Sequence, residues 1–138
     1  MQKKHFIYGF VLAIVFTISG CGNISQTDVE SFIAKTDDYE KISQEDAKKA
    51  LDSNSPPILL DVRFESEYEE AHIPGAILIP VSALMERAES ELPDKDALIL
   101  IYCESGYRSK TAAEMLIDMG YTYVKDIGGL DMWDYETE

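Results

Sequence analysis

Cys103 and Arg108 stand with four residues between them, in the run Cys103-Glu104-Ser105-Gly106-Tyr107-Arg108-Ser109. A thiolate is a strong nucleophile, and a guanidinium offers planar paired donors to an anion. Gly106 lets a chain turn tightly with no Cβ in the way. The apolar run Ala97-Leu98-Ile99-Leu100-Ile101-Tyr102 reads as a strand just before the loop, and a helix is expected from Ser109 to Met119, ending at Gly120. A strand, a tight loop and a helix N-terminus in that order aim backbone N–H groups at one point. The amides, the helix end and Arg108 all favour thiolate over thiol at Cys103. A cysteine after a buried strand is often an inert core residue. Here the Gly and Arg that follow point instead to a nucleophile in an anion-holding loop.

The other elements place that loop. Ser43 is an N-cap for a helix through Leu51, and Pro56-Pro57 precede a strand at Ile58–Val62. A short helix is expected over Glu65–Ala71 and a turn at His72-Ile73-Pro74-Gly75. A short strand at Ala76–Ile79, a helix at Ser82–Leu92, a strand at Tyr123–Ile127 and a helical turn opened by Gly128-Gly129-Leu130 complete the order. Short apolar strands separated by helices imply an α/β fold, a central parallel sheet with helices on both faces. In such sheets chemistry sits at the carboxyl ends of the strands, where Cys103 lies. Asp61 and Arg63 end a strand near the same edge and read as a supporting pair that holds loops. His72 reads as structural, its ring bonded to backbone. No second His lies near Cys103, and the Cys and His residues give no adequate metal-ligand set.

The chain has 138 residues, 46% hydrophobic and 28% charged, enough for one globular domain. With 12 Lys and Arg against 26 Asp and Glu the net charge is -14, which argues against nucleic acid as a partner. Residues 1–20 carry Lys3 and Lys4, then an apolar run from Phe6 to Ile18, then Ser19 and Gly20 before Cys21. This is the layout of a secretory signal peptide. Residues 21–38 read as a tether, with a helical turn available to Val29, Phe32 and Ile33. The domain spans 39–138.

Ile18-Ser19-Gly20-Cys21 resembles the bacterial lipobox. The resemblance implies cleavage before Cys21, diacylglyceration of its thiol, and a lipid-anchored domain outside the cytoplasm, at the cell surface or in the periplasm. Cys103 then has no disulfide partner in the chain. Cys103 to Ser109 resembles the active-site loop of rhodanese-like sulfurtransferases. Leu60-Asp61-Val62-Arg63, Glu67-Tyr68 and His72-Ile73-Pro74-Gly75-Ala76 resemble that family's first signature, and Gly128-Gly129-Leu130 with Trp133 its last. The likeness covers about residues 39–135, in order, and departs at Ile77, where the family often has Asn. It implies that Cys103 carries a persulfide, that the backbone of Glu104, Ser105, Gly106, Tyr107 and Arg108 binds the substrate and stabilises its charge, and that no cofactor is needed. The partners implied are a small sulfur donor and a thiol or cyanide acceptor, with the membrane reached through the lipid and the protein a monomer. Two other readings stay open. One is a non-catalytic or redox-sensing interaction module. The other is a phosphatase or arsenate reductase, whose loop has five residues between Cys and Arg rather than four.

Overall fold

The computed structural model describes residues 38–138. The signal segment, Cys21, the tether up to residue 37 and the turn at Val29, Phe32 and Ile33 lie outside the described residues. Five strands form one parallel sheet: β1 (Glu40–Lys41), β2 (Ile58–Asp61), β3 (Ile77–Leu78), β4 (Leu98–Cys103) and β5 (Tyr123–Gly129), in the order β1-β5-β4-β2-β3. Four α-helices connect them: α1 (Gln44–Leu51), α2 (Glu65–Glu70), α3 (Leu84–Glu91) and α4 (Tyr107–Asp118). Single 3-10 turns occupy Val81–Ala83 and Leu130–Met132.

β4 is central because its side chains are apolar on both faces. Strand alternation sends Ile99, Ile101 and Cys103 into one core and Leu100 and Tyr102 into the other. The first core is closed by Leu84 and Ala88 of α3 and by Ala112, Ala113 and Leu116 of α4. The second is closed by Ala47 of α1 with Leu59, Ile73 and Ile127. Helices therefore cover both faces, as expected for parallel strands buried on each side. Truncating one of these fully buried aliphatic side chains, such as Ile101, costs about 2–5 kcal/mol. Ser43 caps α1 by accepting the Asp46 N–H at 3.1 Å.

Several boundaries differ from the sequence reading, most by one residue, and four of the differences bear on the site or its packing. α4 begins at Tyr107 rather than Ser109, because Gly106 completes the turn in one residue with φ 84°. β4 runs one residue further, so Cys103 belongs to the strand. β5 extends through Gly129, with a register shift between Ile101 and Tyr102 that passes over Ile127. The expected helix from Ser82 to Leu92 divides into a 3-10 turn and α3. β1 was not expected at all. It is two polar residues long and exists through its pairing with β5, where the buried Lys125 meets the Glu40 carboxylate.

Candidate active site

Cys103 ends β4 with no solvent exposure, and its Sγ accepts the Gly106 N–H at 3.2 Å. Only Glu104, Ser105 and Gly106 separate the strand from the first turn of α4. The sulfur thus sits under a short loop at the amino end of a 12-residue helix, where the unpaired amides carry positive charge. Glu104, Ser105 and Tyr107 are exposed around it.

The carboxyl end of β5 forms the floor of this loop. The Glu104 carbonyl accepts the Asp131 N–H at 3.0 Å. A Cβ on Gly129 would lie 2.7 Å from Ser105 Cα and closer still to the Glu104 carbonyl and the Asp131 carboxylate. Gly129 is therefore required for a close approach between backbones, while its φ of -110° is ordinary. Gly106 faces Gly128 across the same contact, and the buried Ser109 Oγ reaches the Gly128 carbonyl at 3.5 Å.

β2 brings the second half of the site. Its pairing sets Asp61 beside Tyr102, so the chain after β2 runs alongside the chain after β4. Arg63 is 3% exposed and holds several acceptors at once. Its Nε and NH2 donate to the Asp61 carboxylate at 2.8–3.1 Å, NH2 donates to the Ala71 carbonyl at 2.6 Å, and NH1 donates to Glu104 at 3.1 Å. Burial alone would lower the Arg63 guanidinium, but Asp61 and Glu104 outweigh it and hold it above its ordinary value. Asp61 also receives the Arg63 backbone N–H at 2.8 Å. Tyr102 stands under this pair, its hydroxyl accepting the Ile73 N–H at 3.1 Å. Burial and then the hydrogen bond to Asp61 push that phenol well above its ordinary range.

Arg108 lies in the first turn of α4, and its hydrogen bonds to Glu67 hold its guanidinium above the ordinary value. The sequence reading gave its donor fork to a bound anion. In the structure both arms of the fork go to Glu67 of α2, NH1 to Oε2 and NH2 to Oε1, each at 2.6 Å. Glu67 Oε2 also accepts the Phe64 N–H at 2.8 Å and so caps α2, and the Phe64 ring lies 5.1 Å from the guanidinium. The Arg108 hydrogen bonds lower the Glu67 carboxyl from an ordinary 4.5 to about 2. Sequence reasoning had quoted Glu67 only as part of a motif, and it gave no role to Tyr102, Phe64 or the close approach at Gly129. The paired glycines at 128 and 129 were the available signal for the last of these.

His72 belongs to a different neighbourhood. Its ring stacks on Tyr68 at 3.7 Å, Nδ1 lies 2.9 Å from the Tyr68 carbonyl, and its backbone exchanges two 2.9 Å hydrogen bonds with Glu138. A cavity lined by Leu51, Pro57, Leu59, Ile73 and Trp133 contains none of the site residues above.

Comparison with known proteins gives this geometry a family. The family model described as a rhodanese-like domain matches residues 43–136. The chain is 42% identical over 71 residues to the thiosulfate sulfurtransferase PspE of Escherichia coli, covering 51% of this chain and 68% of that protein. It is 39% identical over 99 residues to the putative sulfur carrier protein YrkF of Bacillus subtilis, covering 71% of this chain and 52% of YrkF. Of the adenylyltransferase and sulfurtransferase UBA4 of Candida albicans it spans only 25%. Among solved structures, a rhodanese-like domain protein from Staphylococcus aureus superposes with a TM-score of 0.65 at 30% identity, covering 72% of this chain and 96% of that one. A rhodanese with anions from E. coli gives 0.56 at 37% identity, covering 59% and 95%. The motifs seen in the residues, the parallel five-stranded sheet and these matches agree: the chain belongs to the rhodanese-like domain family.

Proposed function

We propose that this chain is a sulfurtransferase in which Cys103 carries sulfane sulfur as a persulfide. The observation that carries the reading is the Gly106 N–H on Cys103 Sγ, inside a loop that starts a helix at the carboxyl end of the central strand. A sulfur held there keeps a negative charge near fixed dipoles that need no reorganisation.

With thiosulfate, the Cys103 thiolate attacks the outer sulfur, the S–S bond of the donor breaks, and sulfite leaves with the bonding pair. The enzyme then holds Cys103–S–S⁻. A thiolate or cyanide acceptor attacks the terminal sulfur, takes it as a persulfide or thiocyanate, and returns Cys103 as thiolate. The backbone of Glu104 to Arg108 holds the charge of both sulfur species. Because Cys103 has no exposure of its own, donor and acceptor reach it only as the exposed loop gives way. The sulfurtransferase names of the relatives agree with this chemistry.

The placement follows from Cys21. We read the chain as a lipoprotein tethered to the membrane by residues 21–38, with the domain of 39–138 outside the cytoplasm. Cys21→Ala should leave the precursor uncut and without fatty acid; a variant that is still lipidated and cut before residue 21 refutes the anchor.

Mass spectrometry of the reduced protein after exposure to sulfane donors tests the chemistry. One added sulfur on Cys103, removed by cyanide or a thiol and absent in Cys103→Ser, is the expected result. Turnover that survives Cys103→Ser overturns the mechanism. A folded wild type that takes sulfur from no donor fits instead an interaction module, which the full burial of Cys103 would suit.

A further inference from the structure

The charged groups that converge on the Cys103 loop do not make a net cationic site. Three carboxylates, Asp61, Glu67 and Glu104, are ion-paired there with two guanidiniums, Arg63 and Arg108. Arg63 is buried and committed to Asp61, Glu104 and the Ala71 carbonyl. Arg108 stands in the first turn of the helix that follows the Cys103 loop, and two oxygens of one carboxylate take both arms of its fork. Glu67 is itself fixed, because the same carboxylate caps α2 through the Phe64 N–H. A donor dianion would have to displace Glu67 from Arg108 and accept its repulsion, along with that of Glu104 on the loop.

We infer that Glu67 is a positioning residue that, through Arg108, selects sulfane donors carrying at most one negative charge, thiosulfonate anions and persulfides, over the thiosulfate dianion. The inference rests on the sulfur-transfer reading and narrows its donor class. With a persulfide R–S–SH the Cys103 thiolate attacks the terminal sulfur, the donor S–S bond breaks, and the thiolate RS⁻ leaves. With a thiosulfonate the leaving group is the sulfinate. Each step conserves charge and needs no further reactant. In both cases Arg108 can stay on Glu67 while the loop amides hold the transferred sulfur.

Thiosulfate and methanethiosulfonate differ chiefly in the replacement of one anionic oxygen by methyl, so they form a charge-matched pair of probes. Sulfur loading of Cys103 by each is followed on the whole protein, and each rate is normalised to that of a free thiol in solution. The wild type should favour methanethiosulfonate. Glu67→Gln should shift the kcat/KM ratio toward thiosulfate by about tenfold, the scale of one freed charge-assisted hydrogen bond, and through KM rather than kcat. Glu69→Gln removes an equal charge from an exposed position on the same helix and should leave the ratio where it was. Arg108→Gln supplies a second arm: it should not cost thiosulfate more than methanethiosulfonate. The inference is overturned if Glu67→Gln slows both donors alike, if Glu69→Gln shifts the ratio equally, or if Arg108→Gln abolishes thiosulfate loading alone. Loading of the wild type by neither donor refutes the sulfurtransferase reading itself, a different outcome from loading without charge selection.

Discussion

Replacing Arg63 by Met keeps most of the side-chain stem and removes only the guanidinium. Asp61 has no solvent exposure, and Arg63 supplies three of its side-chain hydrogen bonds, from Nε to each oxygen and from NH2 to Oδ2. In Arg63→Met the carboxylate keeps the backbone N–H of residue 63 but no cation. Removing one partner of a sealed ion pair leaves an uncompensated buried charge and costs about 3–5 kcal/mol. For a domain of this size that is a large share of a total stability of about 5–15 kcal/mol, and it lowers Tm by about 12 °C or more. Urea unfolding of the purified protein at neutral pH, followed by the fluorescence of its single tryptophan, measures the loss directly. The double variant Asp61→Asn, Arg63→Met removes the stranded charge and should recover at least about 1 kcal/mol, a coupling expected only of groups in contact. A loss below about 1 kcal/mol in Arg63→Met, or no recovery in the double variant, would show that Asp61 is not held by this cation, and the account of how the two halves of the site are joined would fail.

Gly129→Ala should destabilise by about 1–3 kcal/mol, because its Cβ meets Ser105 Cα at 2.7 Å and the loop must shift. Sulfur loading should fall further than stability does; a variant that loads Cys103 at the wild-type rate would show that this floor does not set the loop. Gly128→Ala makes a contrast, since its Cβ meets only Met132 Cε at 3.9 Å and the cost is backbone strain at φ 89°, about 1–2 kcal/mol. Glu67 gives a pH signature. Its folded value of about 2 lies below an ordinary 4.5, so its contribution is fully present above 4.5 and is lost as pH falls toward 2. With the carboxylate partly exposed and screened, the difference in unfolding free energy between wild type and Glu67→Gln should be about 1–2 kcal/mol at neutral pH and should shrink across that window. A difference that does not change between pH 5 and about 2 refutes the assignment.

Much of the fold was legible because its signals are local. Ser43 marked a helix start, Pro56-Pro57 marked a break, and the apolar run ending at Tyr102 marked the central strand. The elements that escaped are those defined by their partners. Glu40 and Lys41 carry no apolar period, and only the neighbouring β5 makes them a strand. The two-residue extension of β5 likewise depends on its contact with β4 and on a bulge that no local pattern announces. The early start of α4 turns on one glycine at positive φ, and the sequence permitted that conformation without requiring it.

The site was legible in its parts but not in its wiring. Cys103, Gly106 and Arg108 share one short run, so their proximity could be read directly. The Arg63–Glu104 and Glu67–Arg108 pairs each join residues 41 apart in sequence, beyond any local period. The parallel register of Asp61 with Tyr102 has the same offset. β2 and β4 each pass through a three-residue connection into a helix, so the two strand–helix units stay nearly in step beyond the sheet. Residues that would face one another if the strands continued meet as opposite charges, Arg63 to Glu104 and Glu67 to Arg108, in reversed order. Each pair therefore follows from one fact the sequence does not carry, that β2 lies beside β4. A one-residue slip of that register would set Arg63 against Cys103 or Ser105 and Glu67 against Tyr107 or Ser109, removing both ion pairs together. The same two pairs that shape the charge of the site thus also specify the strand register that builds it.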